Sequence, residues 1–137
     1  MIYLLDTSVY CQPLRRKPVE ACLLRWKQAG DAACRISIVT VAEIEFGLNL
    51  ENRAQRWEKY RTLLQNRLEV IETCAGVWRR FARMKARQQE LGAIVADLDL
   101  LIAATAAHHE WTVATLNSRD FSRIEGIAWV EWKVDYC

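Results

Sequence analysis

Two periods of apolar and polar residues alternate along this chain, and the switches between them divide it into alternating strands and helices. Met1 to Leu5 is a short apolar run that stops at Asp6, the pattern of a strand buried on both faces in a parallel sheet. Pro13 and Pro18 punctuate the next stretch. From about Val19 to Gln28 the spacing of Cys22, Leu23 and Trp26 predicts a helix, ended by Gly30. Cys34 to Val39 reads as a second strand. Thr40 followed three residues later by Glu43 is a capping-box pattern, which predicts a helix starting at Thr40 and running through Ile44 to Leu48. Charged residues from Glu51 to Arg67 interleave with Trp57, Tyr60, Leu63 and Leu64, predicting an amphipathic helix able to pair with its predecessor as a hairpin.

Leu68 to Ile71 alternates weakly and is read as a third strand. Ala75 to Leu91 predicts a long helix with Val77, Trp78, Phe81 and Met84 inward and Arg79, Arg80, Arg83 and Arg87 outward, ended by Gly92. Asp97 or Asp99 opens the next helix, which runs through the small residues from Ile102 to Ala107. Trp111 to Leu116 is a fourth strand, Asn117 to Asp120 a turn or short helix start, and Ala128 to Trp132 an edge strand. Strands alternating with helices imply an α/β layer fold with a mainly parallel sheet. No repeat, linker or low-complexity tract divides the 137 residues, so residues 1–137 are expected to form a single domain.

Composition narrows this picture only a little. An apolar content of 52% is ample for one core, and a formal net charge of +2 obliges any nucleic-acid binder of this composition to keep its acids and bases apart. The five cysteines, Cys11, Cys22, Cys34, Cys74 and Cys137, are odd in number and contain no C-x-x-C, which fits neither a zinc site nor a disulfide framework. Thiols in a reducing compartment are the simple reading. Asp6 interrupts the apolar start too early for a signal peptide, and no run approaches a membrane span, so the expectation is a cytoplasmic protein with no membrane attachment.

The chemistry lies in where the acids fall. Open parallel sheets bind ligands outside the carboxyl ends of their strands. Asp6 directly follows the first strand, Glu43 falls in the first turn of the helix after the second, Asp99 in the first turn of the helix before the fourth, and Asp120 just after the fourth. Clustered carboxylates repel one another and need a counter-charge, which Mg²⁺ or Mn²⁺ supplies through oxygen ligands. Each acid also has an ordinary structural reading: a strand-end turn for Asp6, a capping box for Glu43, a helix-dipole partner for Asp97 or Asp99, and an N-cap for Asp120. No P-loop, GxGxxG or Ser-His-Asp pattern competes with the acids. His108 and His109 sit at a helix end, where cations complement the dipole. Of the six tryptophans, Trp57 on the charged helix, with Tyr60 beside it, is the one expected to meet a partner.

Four local sequences carry a family resemblance. Leu4-Leu5-Asp6-Thr7-Ser8, Ile38-Val39-Thr40-Val41-Ala42-Glu43, the segment from Asp99 to Ala106 beginning Asp-Leu-Leu-Ile-Ala-Ala, and Val113 to Phe121 resemble, in order and spacing, the successive motifs of PIN-domain ribonucleases. More narrowly the chain is similar to the VapC toxins of bacterial toxin–antitoxin pairs, and Ile124 to Ile127 followed by Trp132 is similar to their usual ending. The resemblance implies a PIN-like three-layer fold, with a mainly parallel central sheet flanked by helices, and a Mg²⁺- or Mn²⁺-dependent endoribonuclease.

On this resemblance Asp6 and Asp99 are the direct metal ligands, and Glu43 and Asp120 bind directly or through water. The fourth acid is open between two positions, since many relatives carry an acid at the place of Asn117, while VapC-like members often carry Asn there and an acid three residues on. Asp120 is the choice made here. Thr7, Ser8, Thr115 and Asn117 are accessory candidates; Ser8 stands where many relatives have Asn. Arg79, Arg80, Arg83 and Arg87 are candidate RNA contacts, as are Arg15, Arg16 and Lys17, the alternative being solvated surface residues. The resemblance further implies a structured RNA substrate such as tRNA, an antitoxin seated on the helices between Thr40 and Arg67, a homodimer, and DNA binding only through the antitoxin. Rival readings are a PIN nuclease of RNA processing, a degenerate PIN-like binding module, and an aspartate phosphotransfer domain. The last is disfavoured because Ser8 stands where a phosphatase pattern wants a second Asp.

Overall fold

The computed structural model describes residues 1–51 and 54–133, so Cys137 and part of the charged segment after Glu51 lie outside the described residues. Five strands are described: β1 (Tyr3–Leu5), β2 (Cys34–Ser37), β3 (Glu69–Ile71), β4 (Thr112–Thr115) and β5 (Trp129–Glu131). All neighbours pair in parallel in the order β3-β2-β1-β4-β5. The helices are α1 (Thr7–Tyr10), α2 (Glu20–Ala29), α3 (Ile38–Glu51), α4 (Ala54–Leu63), α5 (Ala75–Glu90), α6 (Asp97–His109) and α7 (Ser118–Phe121), with 3₁₀ turns at Gln12–Leu14 and Asp31–Ala33.

Because successive residues of a strand point to opposite faces, the sheet builds two apolar layers. Leu5 and Ala114 face one layer with Val9, Tyr10, Trp26, Ile44, Leu48, Tyr60 and Leu64, contributed by α1 to α4 and the residue just after α4. Leu4 and Val113 face the other with Leu100, Ile102, Ala103, Ala106 and Phe121, against which Phe81 and Met84 of α5 pack. The small residues of α6 let it lie close on the sheet; Ala103 and Ala104 are fully buried. This is the three-layer arrangement with a parallel sheet expected from the alternation of elements. Among the described residues, no helix is long and apolar enough to cross a membrane.

Four local expectations need correction. Helix α3 begins at Ile38, and Ser37 caps it by accepting the Val39 N–H at 3.0 Å. Thr40 is therefore a buried residue inside the helix, and Glu43 lies in its second turn rather than in a capping box. Tyr60 is buried in the core rather than presented to a partner, with Trp57 packed edge-on against it. Trp78 is 48% exposed instead of inward, and Arg80 is half-buried with a buried Nε that has no hydrogen-bond partner. Helical spacing alone places both residues near the boundary of the α5 apolar stripe, and the position of α6 decides which side each takes.

Candidate active site

β1 lies at the point where the strand order reverses, with β2 on one side and β4 on the other. A crevice forms at the carboxyl ends of such strands. Asp6 occupies it: its N–H donates to the Ala114 carbonyl at 3.0 Å, extending the β1–β4 pairing by one residue. Its carboxylate is 3% exposed and accepts three hydrogen bonds, from Ser8 Oγ at 2.7 Å, from the Val9 N–H at 3.1 Å, and from Thr115 Oγ1. Asp6 thus caps α1 while facing the crevice. Burial pushes the Asp6 carboxyl above its usual range; the three donors oppose this and the nearby Glu43 charge adds to it.

Each accessory residue named from the sequence is in contact with one of these acids or their partners. Thr7 Oγ1 donates to Glu43 Oε1 at 2.7 Å and lies 3.3 Å from Thr40 Oγ1, so α1 and α3 are tied at the site. The Leu116 N–H donates to Ser8 Oγ at 3.0 Å, and the Asn117 N–H to Thr115 Oγ1 at 2.8 Å. Asn117 Nδ2 donates to Asp120 Oδ2 at 2.8 Å. The Asp120-or-Asn117 alternative thus becomes a pair in which the amide holds the acid.

Asp99, in the first turn of α6, shows that the acids converge. Burial, and then the charges of Glu43, Asp6 and Asp120, all push its carboxyl upward, to about 6. The charges that act on Asp99 and Asp6 among the described residues are those of the other acids. Asp97, its neighbour in sequence, points elsewhere and pairs with Lys85 at 3.0 Å. The phrase beginning at Asp99 therefore selects the residue that belongs to the cluster.

The site is a set of mutually repelling carboxylates with hydroxyl and amide oxygens nearby, a donor chemistry that suits a hard divalent cation. Among the described residues, no three His, Cys, Asp or Glu already stand where they could hold an ion. The acids are instead held by neighbouring donors, so gathering them onto a cation requires side-chain rotation. In donor type and in their mutual repulsion the residues fit such an ion.

The basic residues divide into two groups. Arg87 of α5 is committed to Glu125 at 2.8 Å and Glu90 at 3.4 Å. Arg15, Arg16 and Lys17 instead line a groove of about 590 Å³ together with Glu43. Sequence reading missed Gln12, a buried residue whose Nε2 donates to the Ser8 carbonyl at 2.9 Å and whose Oε1 accepts the Val19 N–H at 2.9 Å. It had no signal beyond the two prolines that follow it, Pro13 and Pro18.

The PIN domain family model matches residues 3–127. The chain is 34% identical over 128 residues to the VapC ribonuclease Y4jK of Sinorhizobium fredii, covering 85% of this chain and 88% of that one. It is 29% identical over 139 residues to Toxin FitB of Neisseria gonorrhoeae, covering 94% and 97%. Among solved structures it is similar to FitAcB from Neisseria gonorrhoeae, with a TM-score of 0.86, 26% identity and coverage of 96% and 98%. It is also similar to VapBC2 from Rickettsia felis bound to a DNA fragment from their promoter, with a TM-score of 0.85, 25% identity and coverage of 96% and 99%.

Proposed function

This chain belongs to the PIN domain family, and on that premise we propose that it is a VapC-type endoribonuclease, the toxin of a toxin–antitoxin pair, using Asp6, Glu43, Asp99 and Asp120 with Mg²⁺ or Mn²⁺. The observation that supports this best is Asp99, whose carboxyl is pushed to about 6 by burial and by the like charges of Glu43, Asp6 and Asp120. Asp6 and Asp99 would hold the ion, with Glu43 and Asp120 joining directly or through water. When bound, such an ion neutralises the cluster, activates water and stabilises charge building on a phosphodiester.

The chain's own residues supply position and proton transfer. Ser8, Thr115 and the Val9 N–H fix Asp6 at the crevice. Thr7 orients Glu43, which would orient the attacking water and accept its proton. Asn117 orients Asp120. In-line attack on phosphorus then leaves 5′-phosphate and 3′-hydroxyl ends, on a structured RNA such as tRNA.

Two protein contacts complete the reading. Exposed Leu50 on α3 and Leu63 on α4 offer apolar surface to an antitoxin, through which any DNA binding would come. A second copy covers the shallow apolar face of Ile38, Phe46, Trp78 and Leu98, on the other side of α3 from the basic groove. Leu98→Arg is expected to turn a dimer into a monomer in sedimentation analysis, and an unchanged sedimentation coefficient removes that face from the account. For the cellular role, mapping of 5′ RNA ends after brief induction should reveal new ends absent with Asp6→Asn. Identical end profiles for the two would rule out the toxin reading.

A further inference from the structure

We propose that a single-stranded segment of the RNA lies in the groove between the Arg15–Lys17 loop and α3, and is led along it to Glu43; this rests on the ribonuclease reading above. The groove is lined by Arg15, Arg16, Lys17 and Arg56 on its polar side and by Leu14, Ile44 and Leu48 on its apolar side, with Glu43 among its walls. Glu43 also meets Thr7, the residue after Asp6, so the groove opens onto the acid cluster.

The charges match a polyanion. Arg15, Arg16 and Lys17 are consecutive and exposed, and among the described residues none of them is engaged in an ion pair, unlike Arg35, Arg67, Lys85 and Arg87. The loop bearing them is ordered in advance: Gln12 bridges the Ser8 carbonyl and the Val19 N–H across it, and Pro13 opens its 3₁₀ turn. Cations on a pre-ordered loop bind phosphate at lower entropic cost than cations on a free one.

A second, independent observation is Gly47. It lies inside α3, in ordinary helical backbone, where glycine is less favourable than alanine by about 1 kcal/mol. A Cβ built there meets nothing within 4 Å, so neither packing nor backbone strain calls for glycine. What the missing side chain does is leave the groove wall open beside Ile44 and Leu48. Phosphates on the basic loop and a base against this apolar floor form a grip that is electrostatic on one wall and apolar on the other, within a positively charged groove of the kind that tracks a single strand.

The test is binding of a short fluorescein-labelled single-stranded RNA by the cleavage-blocked Asp6→Asn protein, compared with three variants in that background. Arg15→Glu/Arg16→Glu/Lys17→Glu should weaken binding at least about tenfold and lower the salt slope by about 2, the value for three lost phosphate contacts on a single strand. Gly47→Trp should weaken binding with the slope kept and the thermal midpoint not lowered. Arg79→Glu/Arg83→Glu on α5 should leave binding within about twofold of the parent, below one kcal/mol. Parent-like binding by both groove variants overturns the proposal. If the same variants lose an amphipathic protein partner while RNA binding persists, the groove belongs to that partner. If the Asp6→Asn parent itself binds no RNA and the wild-type protein cleaves none, the ribonuclease reading fails and takes the groove assignment with it.

Discussion

Thr115, the last residue of β4, donates its hydroxyl hydrogen to the carboxylate of Asp6, the residue just beyond β1. The two are 109 positions apart in the chain, and only the pairing of β1 with β4 brings them together. Thr115 also accepts the Asn117 N–H, so one hydroxyl ties Asp6 to the turn that carries Asp120. Thr115→Val removes a donor to a buried carboxylate, a loss of about 1.5–3 kcal/mol. The Asp6 carboxyl should then rise further above its usual range. The expected result is a fall in kcat/KM at neutral pH of about 10- to 100-fold, an acid limb of the pH–rate profile moved to higher pH, and partial recovery in Thr115→Ser. Superimposable profiles for wild type and Thr115→Val would show that the hydroxyl does not hold Asp6 for the reaction.

Asp99 makes stability depend on pH in a direction opposite to most carboxylates. Its carboxyl is raised from 3.8 to about 6, by burial first and then by the like charges of Glu43, Asp6 and Asp120. Between those two values the folded chain holds more protons than the unfolded one, so this group's contribution to stability falls as pH rises through that window and stays lost above it. In chelator, Asp99→Asn is expected to raise the thermal midpoint at pH 7.5 and to leave it nearly unchanged at pH 3.5. Its gain should be on the order of 1–2 kcal/mol once partial solvent screening is allowed for. Adding Mg²⁺ or Mn²⁺ should stabilise the wild type at pH 7.5 more than the variant. Equal ion-induced shifts in both would remove Asp99 from the binding set.

The Asn117–Asp120 pair separates two kinds of contribution. Asp120 adds charge at Asp99, whereas Asn117 contributes an amide that holds Asp120. Asp120→Asn should therefore reduce kcat by more than the roughly 10- to 100-fold typical of a residue that only supports a metal ligand. Asn117→Ala should cost about tenfold, the lower end of the range for one hydrogen bond to a charged group, because the pair is only part-buried. The reverse order of effects, measured under single-turnover conditions, would make Asn117 the fourth member of the site.

Away from the acids, Asp31 joins three elements. It accepts the Trp26 indole N–H at 2.8 Å and Arg67 Nε at 3.0 Å, while the Arg67 guanidinium lies over the Trp26 ring at 4.2 Å. Trp26 is buried, so Asp31→Ala leaves its N–H without this acceptor and should cost about 1–2 kcal/mol in urea unfolding with the slope unchanged. RNA cleavage by the folded variant should match wild type. A midpoint unchanged by the substitution would show that water replaces the acceptor freely.

Much of this organisation was legible in the chain. The apolar run before Asp6, the glycines after α2 and α5, and the alternation of strand and helix patterns are local signals with local causes. Candidate acids could be named, because Asp6 and Asp120 follow strands and Asp99 opens a helix at the edge where parallel sheets gather their ligands, while Glu43 was placed by a helix start set too late and the choice among neighbouring acids by the family resemblance. The start of α3 was not legible in the same way. Ser37 and Thr40 are both good capping residues, and the choice of Ser37 follows from β2 ending against β1 and β3. Nor could the basic groove be told from the arginines of α5 by spacing alone. That distinction depends on how the Gln12-anchored loop folds against α3, a contact between segments about thirty residues apart.

The most direct test of the central claim is cleavage of RNA by the purified chain at neutral pH, followed in chelator, after restoration of Mg²⁺ or Mn²⁺, and with Asp6→Asn in parallel. The expected result is cleavage only with the divalent ion, loss of it in Asp6→Asn, and products bearing 5′-phosphate ends. Cleavage that persists in chelator, or that Asp6→Asn retains in full, would contradict the assignment of the carboxylate cluster as the site of the chemistry.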